Sequence, residues 1–195
     1  MGRIFCLMGK SSSGKDTIYK MLRERYPELC AVVPYTTRPI RENESDGVEY
    51  FFVDNRTFHE LEAQGRVIES RSYDTKCGVW TYFTADDGQI DLKGHDYLMI
   101  GTLVSFEALK TYFGEENVVP VYVEIDDGIR LGRALEREQR QKEPKYAEMC
   151  RRFLADSEDF SEEKLREAGI RRRFENEDLE RCVEEIGAYI EDLGV

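Results

Sequence analysis

The stretch FCLMGKSSSGKDTIYKML, residues 5–22, constrains this chain more than any other. An apolar run of strand length, ending at Met8, is followed by Gly9, Gly14 and Lys15 at the spacing G-x-x-x-x-G-K. A helical pattern comes next, with Ile18, Met21, Leu22 and Arg25 around one side. A buried strand, a glycine-bearing turn and a helix N-terminus in that order make an anion cradle. The unpaired N–H groups of the first helical turn and the positive end of its dipole face the same point. A lysine at a helix start opposes that dipole, so Lys15 needs an anion near it. The loop therefore reads as a phosphate-binding loop formed by Gly9, Lys10, Ser11, Ser12, Ser13, Gly14, Lys15, Asp16 and Thr17. Such loops place Ser or Thr after the lysine to hold Mg²⁺, whereas this one has Asp16.

The rest of the chain alternates in the manner of an α/β protein. CAVVPY reads as a second strand closed by proline. Strand-like fragments between residues 34 and 85 surround one helical piece, DNRTFHELEAQG, and read as a small inserted lobe. DYLMIG and NVVPVYVEI are further strands, each leading into a helix. A long helical stretch from Asp126 is broken near Pro144. DLERCVEEIGAYIEDLG closes the chain as an amphipathic helix with Leu179, Val183, Ile186 and Ile190 on one face. A length of 195 residues suits one compact domain.

A net charge of −12 supplies no general basic footprint for nucleic acid or an anionic membrane. Five scattered cysteines without a C-x-x-C point to reduced thiols in a cytoplasmic protein, and the apolar run Ile4–Met8 is too short to span a membrane. His59 and His95 lack metal-ligand spacing. Asp126 and Asp127 read as a helix cap, and the acids around 156–163 as a solvated helix face.

YTTRPIRENESDGVEYFFV and GRVIES, taken with the loop, resemble the guanylate kinase family, whose members transfer the γ-phosphate of ATP to GMP. The resemblance implies a three-layer α/β P-loop NTPase fold with a mostly parallel sheet. It implies one domain over residues 1–195, a monophosphate-binding lobe at 34–85 and a lid at 136–148. ATP and Mg²⁺ would serve as cofactors, with small nucleotides as partners and a monomeric or homodimeric state. Arg38, Arg41 and Tyr50 would hold the monophosphate, with Glu44 near them. Glu69 would read guanine, because a carboxylate accepts N1–H and the exocyclic amine side by side and rejects adenine. Arg133, Arg137 and Arg140 would approach the triphosphate, and Arg151 or Arg152 would reach both phosphates on closure. Taken singly, each of these helical arginines is equally at home in a surface ion-pair lattice. Asn176 matches a residue near the adenine edge, and N-capping of the last helix explains it equally well.

Four departures from the family pattern stand out. Asp16 replaces the Mg²⁺-binding hydroxyl, and a pair of strand-end aspartates aligns with Ile100 and Thr102. Pro34 replaces a serine that touches the base. Cys77 and Val79 stand near a lost phenol and hydroxyl, with Thr81 as the residue able to restore one. The first two departures fit together if the carboxylate lost from the strand has moved to Asp16, since Mg²⁺ takes hard oxygen ligands and keeps several waters. In the opposing reading Asp16 repels the triphosphate and Thr17 takes over the hydroxyl role. Two rivals to a GMP kinase stay open: a kinase of the same build with another acceptor, and a non-catalytic binding module.

Overall fold

A computed structural model describes residues 1–41, 44–75 and 78–194 of the chain. Strand β1 (Ile4–Met8) is fully buried and lies at the centre of a parallel five-stranded sheet. Its neighbours are β7 (Tyr97–Ile100) and β8 (Val118–Glu124), in registers that pair Ile4 with Tyr97 and with Val118. β2 (Cys30–Ala31) and β9 (Arg173–Glu175) form the edges, giving the order β2-β7-β1-β8-β9. A strand covered on both faces must be apolar at every position, and IFCLM is.

The alternation of side chains along β1 divides the core into two halves. Ile4, Cys6 and Met8 pack with Tyr97, Met99, Phe106 and Phe160 beneath α3 (Leu103–Phe113) and α6 (Glu162–Glu167). Phe5 and Leu7 pack with Ile18, Leu22, Phe174, Ile186 and Ile190 beneath α1 (Lys15–Arg25) and α7 (Leu179–Asp192). Helices on both faces of a parallel sheet make three layers, as the resemblance implied.

A second sheet, in the order β4-β3-β6-β5, is built from β3 (Tyr35–Thr36), β4 (Phe51–Phe52), β5 (Val67–Thr75) and β6 (Gly78–Ala85). Helix α2 (Asn55–Ala63), N-capped by Asp54, packs Phe58 against Phe83 and Ala85 of this sheet. CAVVPY is not one strand. Cys30 and Ala31 pair with β7, whereas Tyr35 and Thr36 pair with β4 and β6 in the second sheet. Pro34 stands at the crossing because it has no N–H for a ladder, and its carbonyl accepts the Phe51 N–H.

The break near Pro144 is found where expected, between α4 (Asp127–Gln139) and α5 (Tyr146–Asp159). The Glu138 carboxylate is buried there and holds the turn, accepting the Lys145 N–H and the Gln141 amide. Asp126 caps α4 through the N–H groups of Gly128 and Ile129. No helix among the described residues is long and apolar enough to cross a membrane.

Candidate functional site

Residues 9–14 leave β1 and wrap the N-terminus of α1, and their backbone conformation depends on glycine. At Gly9 a Cβ would stand 2.5 Å from the Val123 carbonyl, and at Gly14 it would overlap the Asn176 amide. Gly14 is left-handed at φ +92°, and Ser12 adopts φ +64° without being glycine. A left-handed non-glycine residue costs about 1–2 kcal/mol and tends to collect at ligand sites. The N–H groups of Ser12, Gly14, Lys15 and Asp16 have no acceptor among the described residues. The hydroxyls of Ser12 and Ser13 are buried without a partner. Unpaired donors gathered around a turn fit a polyanion.

Cations stand around this cradle. Lys15 forms no ion pair among the described residues, and its pKa is lowered, chiefly by burial and further by the Arg152 and Arg137 charges. Asp16 and Asp156 act on it in the opposite direction. Arg152 of α5 donates through Nη2 to Ser11 Oγ at 3.2 Å. Arg133 of α4 donates to the Asn176 carbonyl. Arg140 and Arg151 do not converge on the loop. Arg140 is exposed and 3.7 Å from Glu136, one turn away, and Arg151 is held by Glu148 at 2.6 and 2.8 Å. For these two the ion-pair lattice describes the observed geometry.

Asp156 is not on a solvated face. Its Oδ2 accepts the Ser11 N–H at 2.9 Å and lies 3.2 Å from Arg130 Nη1. Arg130 is 1% exposed, sits 3.9 Å from the Phe153 ring centroid and donates through Nε to Asp127. The sequence reading missed both residues. The only signal was spacing: Asp156 lies one turn beyond Arg152, and Arg130 one turn before Arg133. Asn176 is not the cap of α7, which is Asp178. Its buried amide instead donates to the Ser13 carbonyl at 2.7 Å and fastens β9 to the loop.

Asp16 is exposed at the first turn of α1 and is among the charges felt by Tyr50 across the cleft. Among the described residues no group of three or more His, Cys, Asp or Glu is placed to hold a metal ion. One exposed carboxylate beside a phosphate cradle fits Mg²⁺, which is commonly held by one or two protein oxygens plus phosphate and water.

Across the cleft, Arg38 is buried beside the rings of Tyr50 and Phe52, at 5.1 and 5.2 Å from their centroids. Glu44 grips its fork through contacts of 2.7 and 2.5 Å and also accepts the Arg41 N–H. The hydrogen bonds from Arg38 outweigh burial and hold the Glu44 carboxyl below its usual range. The Arg41 side chain is exposed. Tyr50 is half-buried, and burial raises its pKa.

Glu69 is buried and accepts from Thr84 Oγ1 at 2.8 Å and from Arg71 Nε at 3.1 Å. Arg71 Nη1 also donates to Thr102 Oγ1 at 2.8 Å. Thr81 does not restore a hydroxyl beside Glu69. It lies an odd number of residues from Thr84 along β6, so its side chain is on the other face, 2.9 Å from Ser72 Oγ. Ile100 packs against the core, and Thr102 caps α3. Cys77 lies outside the described residues.

Residues 1–78 match the family model described as guanylate kinase. The similar curated proteins include guanylate kinases from Thermobifida fusca, Nostoc sp. and Mycobacterium tuberculosis. The first is 48% identical over 67 residues, 34% of this chain and 34% of the relative. The second is 43% identical over 72 residues, 37% and 36% of the two chains. The third is 45% identical over 69 residues, 35% and 33%. The chain thus matches about a third of the length of these relatives. A solved guanylate kinase from Anaplasma phagocytophilum superposes with a TM-score of 0.67 at 19% identity, over 98% of this chain and 85% of that one. The resemblance to guanylate kinases is shown over the first 78 residues, and the fold over nearly the whole chain.

Proposed function

We propose that this chain is an ATP-dependent, Mg²⁺-assisted kinase of nucleoside monophosphates in the cytoplasm, with GMP or dGMP as acceptor. The observation that carries the reading is the pairing of two half-sites across one cleft. On one side stand the loop's free N–H groups with Lys15, Arg137 and Arg152 around them. On the other stand Arg38, Tyr50 and Glu69, and the Asp16 charge reaches Tyr50 across the gap.

In this reading the loop amides and Lys15 hold the β- and γ-phosphates, while Asn176 keeps the loop in shape. Arg152 and Arg137 stabilise the negative charge that spreads over the equatorial oxygens during transfer. The residues at 34–85 form the monophosphate lobe, with Arg38, Arg41 and Tyr50 at the acceptor phosphate. Glu44 fixes the plane of the Arg38 fork and so orients it. Glu69 reads the base. The lid at 136–148 swings α5 with Arg151 toward the phosphates and excludes water. Asp16 would hold Mg²⁺, directly or through one water, and the ion would supply positive charge beside the phosphates.

The test is ADP release in the presence of ATP and Mg²⁺ with GMP, dGMP, AMP, CMP, UMP or no acceptor. Turnover restricted to GMP and dGMP supports the proposal. Turnover with AMP, CMP or UMP, or none above the acceptor-free rate, rejects it.

A further inference from the structure

We propose that Arg71 is a specificity residue that reads the carbonyl oxygen of a 6-oxopurine base, working beside Glu69. This rests on the proposed function, in which the pocket at Glu69 receives the base.

Glu69 and Arg71 are two residues apart on β5 and face the same way, opposite Thr84 and Tyr82 of β6. The Arg71 guanidinium is fixed at three points: Nε on Glu69 Oε2 at 3.1 Å, Nη2 near Glu69 Oε1 at 3.5 Å, and Nη1 on Thr102 Oγ1 at 2.8 Å. An arginine carries five N–H donors, so one donor on each terminal nitrogen stays without a partner among the described residues. The side chain is not fully covered, at 22% exposed. An anchored, partly exposed guanidinium with free donors is suited to reading acceptor atoms.

The carboxylate beside it has also lost capacity. Thr84 occupies Oε1 and Arg71 Nε occupies Oε2, and the 3.5 Å contact is long enough to yield to a better donor. The pair therefore presents acceptor and donor side by side. On a 6-oxopurine, N1–H meets the carboxylate and O6 meets the guanidinium. In the same pose adenine turns a lone pair toward Glu69 and an amine toward Arg71, so both contacts become repulsive. Pro34 offers O6 no donor, because proline has neither a backbone N–H nor a polar side chain. The exocyclic amine of guanine contributes less than N1–H and O6, because its partner oxygen is shared with Thr84. IMP is thus an acceptor as well as GMP.

The experiment is steady-state kinetics with GMP, IMP and AMP for the wild type, Arg71→Ala and Arg71→Gln, with thermal melts of all three proteins. Arg71→Ala is expected to raise KM for GMP and IMP about 10- to 100-fold, the range for losing a charged hydrogen bond, with kcat changed less than about threefold. Arg71→Gln recovers part of that loss through its amide donor, and in the alanine variant GMP keeps only the part of its advantage over AMP that Glu69 supplies. Should the alanine variant fail to fold, the KM of the glutamine variant decides, with a several-fold rise in KM for GMP and IMP expected. An unchanged KM for GMP in the folded variants overturns the inference and leaves the proposed function standing. So does a fall in kcat alone with no rescue by glutamine. A wild-type chain that turns over none of the three nucleotides overturns both.

Discussion

Replacing Gly14 by alanine and removing the Asn176 amide perturb one contact from opposite ends, so a double-mutant cycle exposes the contact itself. The Asn176 amide is buried and donates to the Ser13 carbonyl at 2.7 Å. Asn176→Ala leaves that buried carbonyl unpaired, at a cost of about 1–3 kcal/mol. Gly14→Ala puts a methyl where the same amide sits and holds alanine at φ +92°. The amide must move, losing the same bond, and the left-handed backbone adds about 1–2 kcal/mol, giving about 2–5 kcal/mol in all. In the double variant the bond is already lost and the methyl has room, so its cost stays near that of Gly14→Ala alone. With a shift of about 2–4 °C per kcal/mol for a domain of this size, each single change is readable in a melting curve. Gly132, which has open space around it on α4, is the control, and Gly132→Ala is expected to be neutral or slightly stabilising. Costs of Gly14→Ala and Asn176→Ala that simply add in the double variant would refute the shared contact.

Three further outcomes follow from the geometry. Asp16→Ser should shift the Mg²⁺ concentration needed for half-maximal turnover; an unchanged Mg²⁺ dependence removes Asp16 from the metal's surroundings. The Glu44 carboxyl is held below its usual value near 4.5, so its pairing with Arg38 stabilises the fold above that pH and is lost as pH falls through the lowered value. The difference in melting temperature between the wild type and Glu44→Gln should therefore be largest at neutral pH and vanish in acid, and a constant difference contradicts it. Lys15 sits below the ordinary lysine range, so triphosphate affinity should fall as pH rises, before an ordinary lysine would lose its proton. Titration calorimetry should also register proton uptake on binding in alkaline buffer, and its absence would count against Lys15 as the phosphate's partner.

Much of the fold was legible because it rests on short-range rules. The IFCLM run, the glycine turn and the Ile18–Leu22 spacing specify a buried strand, a cradle and a helix without reference to anything distant. The break at Pro144 and the cap at Asp126 are local for the same reason. CAVVPY misled because apolar character alone does not reveal which sheet a strand joins, and the chain changes sheets at Pro34. The site was legible where a motif carries its own geometry, as at Lys15. It was opaque where the contact is long-range. Asp156 meets Ser11 across 145 positions, and Arg71 meets Thr102 across 31, so neither pairing leaves a periodic trace. The face on which Thr81 lies was equally hidden, because it is set by the register of β6 against β5, which composition does not contain.

The most direct test of the central claim follows the γ-phosphate itself. The protein is incubated with γ-labelled ATP, Mg²⁺ and GMP, the nucleotides are separated, and Lys15→Ala is run beside the wild type. The account predicts that label enters GDP, and that Lys15→Ala slows this transfer by at least about 100-fold, as expected for a residue stabilising transferring charge. Label found only in inorganic phosphate, or transfer equally fast without Lys15, would contradict it.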